Sequence, residues 1–228
     1  MNRISPLLCA AVAVVLAVST VRAADNELTA DEKKEGYVLL FNGKDLSGWK
    51  RVAAGFGGWS VEDGCIHLTR GGGMLYTEAE YDNFVLKIDF RMTKGCNSGV
   101  FIRVGDPKNE VQTGLEIQVQ DDFGKQPNRN SVGSIYDLVA PSKNTVKPAG
   151  EWNTFVITAN KNIITVEMNG EKVATINVDE WDKPGLRLDG SKHKYKLAIK
   201  DFPRKGLIGL QDHGQSVDYK NIKLKPLK

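Results

Sequence analysis

Residues 114–122 read Gly-Leu-Glu-Ile-Gln-Val-Gln-Asp-Asp, and apolar and polar side chains alternate through this stretch. Side chains of a β-strand point alternately to opposite faces, so the stretch predicts a strand with one apolar face. The other face carries a carboxylate and two amides, from Glu116, Gln118 and Gln120. Such a row can bind hydroxyl groups. It suggests a polyol or sugar lying across a sheet.

Strand patterns recur along the rest of the chain, whereas helix patterns are few. Residues 30–35 could form one helical turn, and residues 123–150 and 179–204 predict long loops. Asp63-Gly64 and Asn169-Gly170 predict tight turns between strands. Besides the opening stretch, the predicted strands are 37–41, 59–61, 65–68, 84–91, 98–103, 154–159, 163–169, 172–178, 206–211 and 216–224. This content predicts an all-β jelly-roll sandwich of two sheets packed through their apolar faces.

The first 23 residues differ from the remainder. Arg3 precedes an apolar run from about Leu7 to Val18, and small residues follow up to Ala23. This arrangement predicts a signal peptide over residues 1–23 and one exported domain over residues 24–228, in the periplasm or outside the cell. An uncleaved membrane anchor is the alternative, although the run is short for one. After cleavage we expect no association with a membrane.

Charge and cysteine content narrow the partners further. Removal of the signal leaves basic and acidic residues nearly balanced, with no basic block, which argues against a nucleic-acid partner. Cys65 and Cys96 remain. An exported protein could join them in a disulfide, and two buried free thiols are the alternative. The sequence has no phosphate-binding loop, dinucleotide fingerprint, zinc-binding His pair or Gly-x-Ser-x-Gly motif.

Three predicted strands share one amide-rich polar face. If they are neighbours, one concave surface carries Asn97, Arg103, Glu116, Gln118, Gln120, Gln211 and His213. Glycines on this face would let a ligand approach the backbone, and Phe101 or Trp59 could offer an apolar surface to a sugar. The alternative is an ordinary solvated sheet face. Arg103 could equally be a surface residue that pairs with Asp106.

Several motifs, in order, resemble the 3-keto-disaccharide hydrolase family, formerly a domain of unknown function. Residues 40–49, Leu-Phe-Asn-Gly-Lys-Asp-Leu-Ser-Gly-Trp, are similar to its opening motif. Further similar stretches are 97–103, 115–122, 133–136, 150–153, 168–170, 210–214 and 220–222. The resemblance covers roughly residues 36–227. It implies a concanavalin A-like jelly roll of two curved antiparallel sheets, with its ligand on the concave side, that acts on glycosides oxidised at the third carbon of the sugar.

The residues at 116–120 depart from related glucanases of this fold, which carry Glu-x-Asp-x-(x)-Glu on the equivalent strand. Here glutamines stand at the second and third positions. Because retaining hydrolysis needs two carboxyl groups about 5 Å apart, ordinary two-carboxylate hydrolysis is disfavoured. In a 3-keto sugar, however, the ketone acidifies the proton on the second carbon. Loss of that proton would allow expulsion of the group on the first carbon, and addition of water would complete a net hydrolysis.

Candidate roles follow from this scheme. We expect Glu116 or His213 to act as the base and Arg103, Asn97 or a bound cation to hold the enolate oxygen. Asp122, Tyr136 and Gln211 would position groups or donate protons. The main alternative is a non-catalytic carbohydrate-binding module that uses the same face. A surface interaction domain is a third interpretation.

The resemblance suggests a divalent cation such as calcium as a cofactor, but it does not require one. Val217-Asp218-Tyr219 resembles the closing strand of jelly-roll glucanases, in which the aspartate binds a structural calcium. Asp218 could bind calcium with backbone oxygens near Asn42-Gly43. An exposed aspartate without a metal is the alternative. A cation held by Glu116 and His213 is a further hypothesis.

Overall fold

A computed structural model describes residues 24–51 and 58–228. Short antiparallel strands form most of this part of the chain. The strands are β1 Val38–Leu39, β2 Trp49–Arg51, β3 Trp59–Glu62, β4 Cys65–Leu68, β5 Leu75–Thr77, β6 Phe84–Met92, β7 Asn97–Val104, β8 Leu115–Gln120, β9 Trp152–Asn160, β10 Ile163–Met168, β11 Glu171–Asn177, β12 Leu207–Leu210 and β13 Val217–Pro226. The helices are α1 Ala30–Glu35 and α2 Glu110–Thr113, and two 3₁₀ turns span Val178–Glu180 and Ile199–Asp201.

The strands form two stacked sheets. One sheet has eight strands in the order β11-β10-β9-β6-β13-β4-β3, with β1 also paired to β13. The other has five strands in the order β2-β5-β12-β7-β8. Apolar residues from both sheets form one buried core cluster. The predicted all-β jelly roll is thereby confirmed.

Side-chain alternation determines which face of each strand is buried. In β9, buried residues alternate with partly exposed ones along almost the whole strand, as a half-buried strand requires. Both predicted tight turns are confirmed. Asp63 and Gly64 have φ angles of 49° and 71°, and Asn169 and Gly170 have 53° and 82°. Positive φ at both central residues is the signature of the type I′ turn, whose twist matches that of the flanking strands.

The sequence missed five short elements, which are β2, β5, α2 and the two 3₁₀ turns. Each has three or four residues, too few for an alternating or helical period to stand out. The predicted helix at residues 30–35 is confirmed as α1. It begins after Thr29, whose side chain accepts a hydrogen bond from the Glu32 N–H while the Glu32 carboxylate accepts one from the Thr29 N–H. Residues 123–150 contain no strand, as predicted.

The predicted signal peptide, residues 1–23, lies outside the described residues. Cys65 and Cys96 are free and buried, so the thiol alternative holds and the disulfide does not. Within residues 24–51 and 58–228, no helix is long and apolar enough to cross a membrane.

Candidate active site

A polar pocket of about 200 Å³ lies on the outer face of the five-stranded sheet, over β7 and β8. Six of the sequence-predicted site residues meet in it. Its lining consists of Asn97, Val111, Glu116, Gln118, Tyr136, Lys194, Gln211 and His213. We call it the Glu116 pocket.

Strand alternation brings Glu116 and Gln118 to this face. Leu115, Ile117 and Val119 belong to the core, so the residues between them point away from it. Glu116 and Gln118 are nevertheless only 4% and 1% exposed. Loops that cover the sheet therefore bury its polar side chains, which rules out an ordinary solvated sheet face.

Glycine on β7 makes room for the carboxylate. Gly99 pairs with Gln118 across the two strands, and a Cβ atom at Gly99 would lie 2.7 Å from Oε1 of Glu116. A Cβ at Gly209 would likewise lie 2.6 Å from the ring of Tyr76. The expectation that these glycines admit a ligand to the backbone is therefore corrected, because neighbouring side chains occupy the space.

Glu116 faces the ammonium group of Lys194. Nζ of Lys194 lies 3.5 Å from Oε2 of Glu116, and the two side chains are 31% and 5% exposed. Burial raises the pKa of Glu116, although the charges of Lys194 and His213 and hydrogen bonds from Lys194 and Gln211 act in the opposite direction. Desolvation likewise lowers the pKa of Lys194. The pair thus combines a carboxylate that binds protons more readily than usual with an ammonium that loses them more readily.

An amide network extends from the carboxylate along the strand. One end of the Gln118 amide lies 3.0 Å from Oδ1 of Asn97 and 2.9 Å from Oε1 of Gln120. The other end lies 3.1 Å from Oε1 of Glu116. The polar row predicted from the sequence is therefore a connected set of side chains that fixes the position of the carboxylate.

A second pocket of about 360 Å³ adjoins the first and shares Asn97 and His213 with it. Its lining consists of Gly95, Cys96, Asn97, Gln120, Asp121, Lys125, His213 and Gln215. We call it the Gln215 pocket. The predicted binding residue Gln120 lies here, and His213 is exposed in the wall between the two pockets.

The structure does not bring Arg103 to either pocket, so its predicted role at the enolate is corrected. Its φ of 53° breaks the alternation that the sequence argument assumed. The buried guanidinium donates to the carbonyls of Asp82 and Lys161, at 2.7 and 2.8 Å, and to Oδ1 of Asn83. Arg103 therefore joins two loops, and these contacts also replace the predicted pairing with Asp106.

Asp122 and Trp59 are corrected in the same way. The buried Asp122 carboxylate accepts from the Val132 N–H and from Nζ of Lys125, both at 3.1 Å, and so holds a loop. Trp59 belongs to the eight-stranded sheet and lies in the core, where its indole N–H donates to the Gly73 carbonyl at 2.9 Å. Phe101 does lie opposite Glu116, but it is buried against Tyr76 and does not offer a surface to a sugar.

Asp218 does not fit the predicted calcium site. One carboxylate oxygen lies 2.5 Å from Nδ1 of His67, and the other lies 2.8 and 2.9 Å from the guanidinium of Arg91. A guanidinium at this distance would repel a cation. In the described residues, no group of three or more His, Cys, Asp or Glu side chains could hold a metal ion. At Glu116 the nearby ammonium of Lys194 likewise opposes the hypothesis of a bound cation.

Lys194 is the residue that sequence reasoning missed. It comes from the long loop 179–204, and its Nζ lies 3.9 Å from the centroid of the Tyr136 ring. Tyr195 fixes this loop, because its hydroxyl donates to the Tyr136 carbonyl at 2.9 Å. Only the length of the loop pointed to a function, and no pattern singled out this lysine among its neighbours.

Comparison with known proteins gives consistent matches. Residues 36–225 match the family model described as a 3-keto-alpha-glucoside-1,2-lyase-like domain. The chain is 29% identical to a 3-keto-disaccharide hydrolase of Bacteroides thetaiotaomicron, over 95% of this chain and 87% of that protein.

Solved structures agree on the fold. A candidate glycosyl hydrolase of Parabacteroides distasonis is 32% identical with a TM-score of 0.75, over 90% of this chain and 100% of that one. A Bacillus subtilis protein with a galectin-like fold is 14% identical with a TM-score of 0.51, over 78% of this chain and 89% of that one, which bears on the fold alone.

Proposed function

Because this chain belongs to the family of 3-keto-alpha-glucoside-1,2-lyase-like domains, we propose that it cleaves the glycosidic bond of 3-keto-glycosides, including 3-keto-disaccharides. In general terms, the protein is an enzyme that acts on glycosides. More specifically, cleavage proceeds by removal of the proton on the second carbon, elimination and hydration. The buried Glu116 carboxylate, with its raised pKa and the Lys194 ammonium beside it, carries this mechanism.

The number of carboxylates in the pocket lining favours elimination over ordinary hydrolysis. Among the residues that line the Glu116 pocket, Glu116 alone has a carboxylate, and residues 1–23 and 52–57 contain no Asp or Glu. Asp121 lines the adjoining pocket, where its Oδ2 accepts from the Gly95 N–H at 2.8 Å. Two-carboxylate hydrolysis needs an acid and a nucleophile or base on either side of one bond. The described pocket offers a single carboxylate for proton transfer.

Glu116 is the better of the two bases considered. A general base works best when its pKa lies near the working pH, and burial moves the pKa of Glu116 in that direction. The carboxylate is also held in place by Lys194 and the Gln118 amide. His213 is exposed at the edge of the pocket, where it can contact the leaving group.

Lys194 supplies the charge that the enolate needs. Loss of the proton moves negative charge onto the oxygen of the third carbon, and a positive group fixed nearby stabilises that charge. The ammonium is held between Glu116 and the Tyr136 ring, with Asn97 and Gln211 in the same lining. Lys194 therefore takes the part that the sequence argument gave to Arg103, Asn97 or a bound cation.

The steps balance without an oxidant or reductant. Glu116 takes the proton of the second carbon, which leaves an enolate. The ketone then re-forms, the electron pair of the enolate double bond moves between the first and second carbons, and the C1–O bond breaks. The leaving oxygen gains a proton. Water then adds to the first carbon, and the second carbon takes a proton from Glu116 after the carboxyl group has exchanged with solvent. The products are a 3-keto sugar and a free alcohol or second sugar.

The direct test is turnover of purified protein on 3-keto-glucosides and their unoxidised counterparts, with and without chelator. We expect cleavage of the 3-keto substrates only, with loss of deuterium from the second carbon. Equal rates on unoxidised glycosides, or complete retention of the label in the sugar product, would refute the elimination. Binding without turnover would instead indicate the carbohydrate-binding module.

We also propose that the protein works after export, because the segment around Arg3 and the apolar run after it have the pattern of a signal peptide. N-terminal sequencing of the protein recovered from cells tests this proposal. We expect the chain to begin at Ala24, whereas a chain that retains Arg3 would contradict cleavage.

A further inference from the structure

The two adjoining pockets carry a more specific inference, which rests on the proposed function. We propose that the Gln215 pocket binds the leaving group of the glycoside, that this group is a second sugar, and that His213 donates the proton to the departing oxygen. The Glu116 pocket then holds the oxidised sugar. The shared wall of Asn97 and His213 lies where the bond between the two units must cross.

Unpartnered acceptors mark both pockets as incomplete without a ligand. Among the described residues, Oε1 of Gln211 and Oε1 of Gln215 are buried and have no hydrogen-bond partner. Gln211 lines the Glu116 pocket and Gln215 lines the other. A buried acceptor without a donor is costly, and sugar hydroxyl groups are donors. One such acceptor in each pocket fits a ligand with hydroxyl groups on both sides of the bond.

The lining of the Gln215 pocket favours a sugar over an aromatic leaving group. It contains polar side chains from Gln120, Asp121, Lys125 and Gln215, and no Phe, Tyr or Trp ring among the described residues. Stacking on an aromatic plane, which a flat aglycone would use, is therefore not offered there. Amides and charged groups instead match the ring of hydroxyl groups on a second sugar.

The position of His213 suits a leaving-group acid. A sugar alkoxide is a poor leaving group and needs a proton as its bond to the first carbon breaks. His213 is exposed and lines both pockets, so its ring can reach an oxygen that lies between them. The imidazolium gives its proton to that oxygen and, once neutral, accepts one from the water that adds to the first carbon.

The first experiment compares leaving groups in His213→Asn. The substrates are a 3-keto-disaccharide and 4-nitrophenyl 3-keto-glucoside, whose nitrophenolate departs without a proton. We expect kcat/KM to fall about 10²-fold for the disaccharide and less than about threefold for the nitrophenyl substrate. Equal losses on both substrates would overturn the assignment of His213 as the acid. Because His213 is exposed, the substitution should not prevent folding.

The second experiment tests the pocket itself with Gln215→Ala. The readout is the ratio of kcat/KM for the 3-keto-disaccharide to that for methyl 3-keto-glucoside, whose small leaving group does not fill the pocket. We expect this ratio to fall about tenfold, as loss of one buried sugar contact predicts. The matched control is Gln126→Ala, an exposed glutamine outside both linings, which should leave the ratio unchanged.

The outcomes of these experiments are separable from failure of the proposed function. If the unsubstituted protein turns over no 3-keto substrate at all, the proposed function itself is wrong. If it turns over all three substrates but Gln215→Ala leaves the ratio unchanged, the reaction stands and the leaving-group pocket is refuted.

Discussion

Two polar clusters lie on opposite outer faces of the sandwich, and they differ in how completely their charges are paired. On the eight-stranded sheet, Asp218 stands directly across from His67 on β4 and Arg91 on β6. Both oxygens of its carboxylate are bound by these neighbours at 2.5 to 2.9 Å. On the five-stranded sheet, the Glu116 carboxylate has one ammonium at 3.5 Å.

The difference distinguishes a structural cluster from a site. Buried polar groups normally find partners within the protein, and groups that do not are candidates for ligand contacts. In the Glu116 pocket, burial raises the pKa of Glu116, and in each of the two pockets one amide oxygen lacks a partner among the described residues. A carboxylate with a raised pKa in a cleft is typical of a functional site. The Asp218 cluster has charged groups and a histidine, but both oxygens of its carboxylate already have partners within the protein.

The largest expected effect is that of Glu116→Gln. The amide keeps the shape of the side chain but cannot accept the proton, so we expect kcat/KM on a 3-keto-glucoside to fall about 10³-fold. The measurement is steady-state turnover, with binding of the product sugar as a check that the pocket is intact. A variant that keeps a tenth or more of the activity would contradict the distinction between the two clusters, because Glu116 would then be no more than a binding residue.

A smaller effect is expected for Lys194→Met, in two readouts. Loss of the ammonium removes charge stabilisation of the enolate, which should lower kcat about 10²-fold. It also removes a charge that lowers the pKa of Glu116. Because the base must be ionised, activity rises with pH through this pKa. The rising limb of the pH profile should therefore move to higher pH.

The matched control for this prediction is Lys194→Arg, which keeps the positive charge. Its rising limb should stay close to that of the unsubstituted protein. If the methionine variant loses rate with no movement of the limb, the ammonium acts on the enolate alone and not on Glu116.

The smallest effect on activity is expected for Asp218→Asn. This substitution removes the negative charge and one of the two acceptor oxygens that His67 and Arg91 share, so we expect the free energy of unfolding to fall by about 1–3 kcal/mol. Urea denaturation measures this change. Activity of the folded variant should stay within about twofold of the original, since the cluster lies on the other sheet. A large loss of activity in well-folded protein would show that the paired cluster also serves the reaction.

Sequence reasoning succeeded where strand alternation continued unbroken. It placed Glu116 and Gln118 on one polar face because β8 is regular, and Asn97 joined them from the neighbouring strand. It failed for Arg103, where one left-handed residue ends the alternation. A strand pattern contains no information about such a local turn.

Residues outside the strands were harder to predict for a different reason. Asp122 adjoins the polar row, but its side chain turns toward a loop whose path the sequence does not give. Lys194 reaches Glu116 from a distant loop, and only the folded chain brings the two together. Trp59 and Asp218 belong to the other sheet, and the assignment of strands to sheets is a property of the topology rather than of local pattern.

The loop that forms one wall of the pocket also closes the open edge of its sheet. β8 is the last strand of the five, and Gly133 and Tyr136 donate their N–H groups to the carbonyls of Gln118 and Glu116, while Gln118 donates to the Ser134 carbonyl. An uncovered edge strand can pair with the same strand of another molecule and start aggregation. The wall that shapes the pocket therefore also protects this edge of the sheet against pairing with a strand of another molecule. Changes that loosen it should cost solubility together with catalysis.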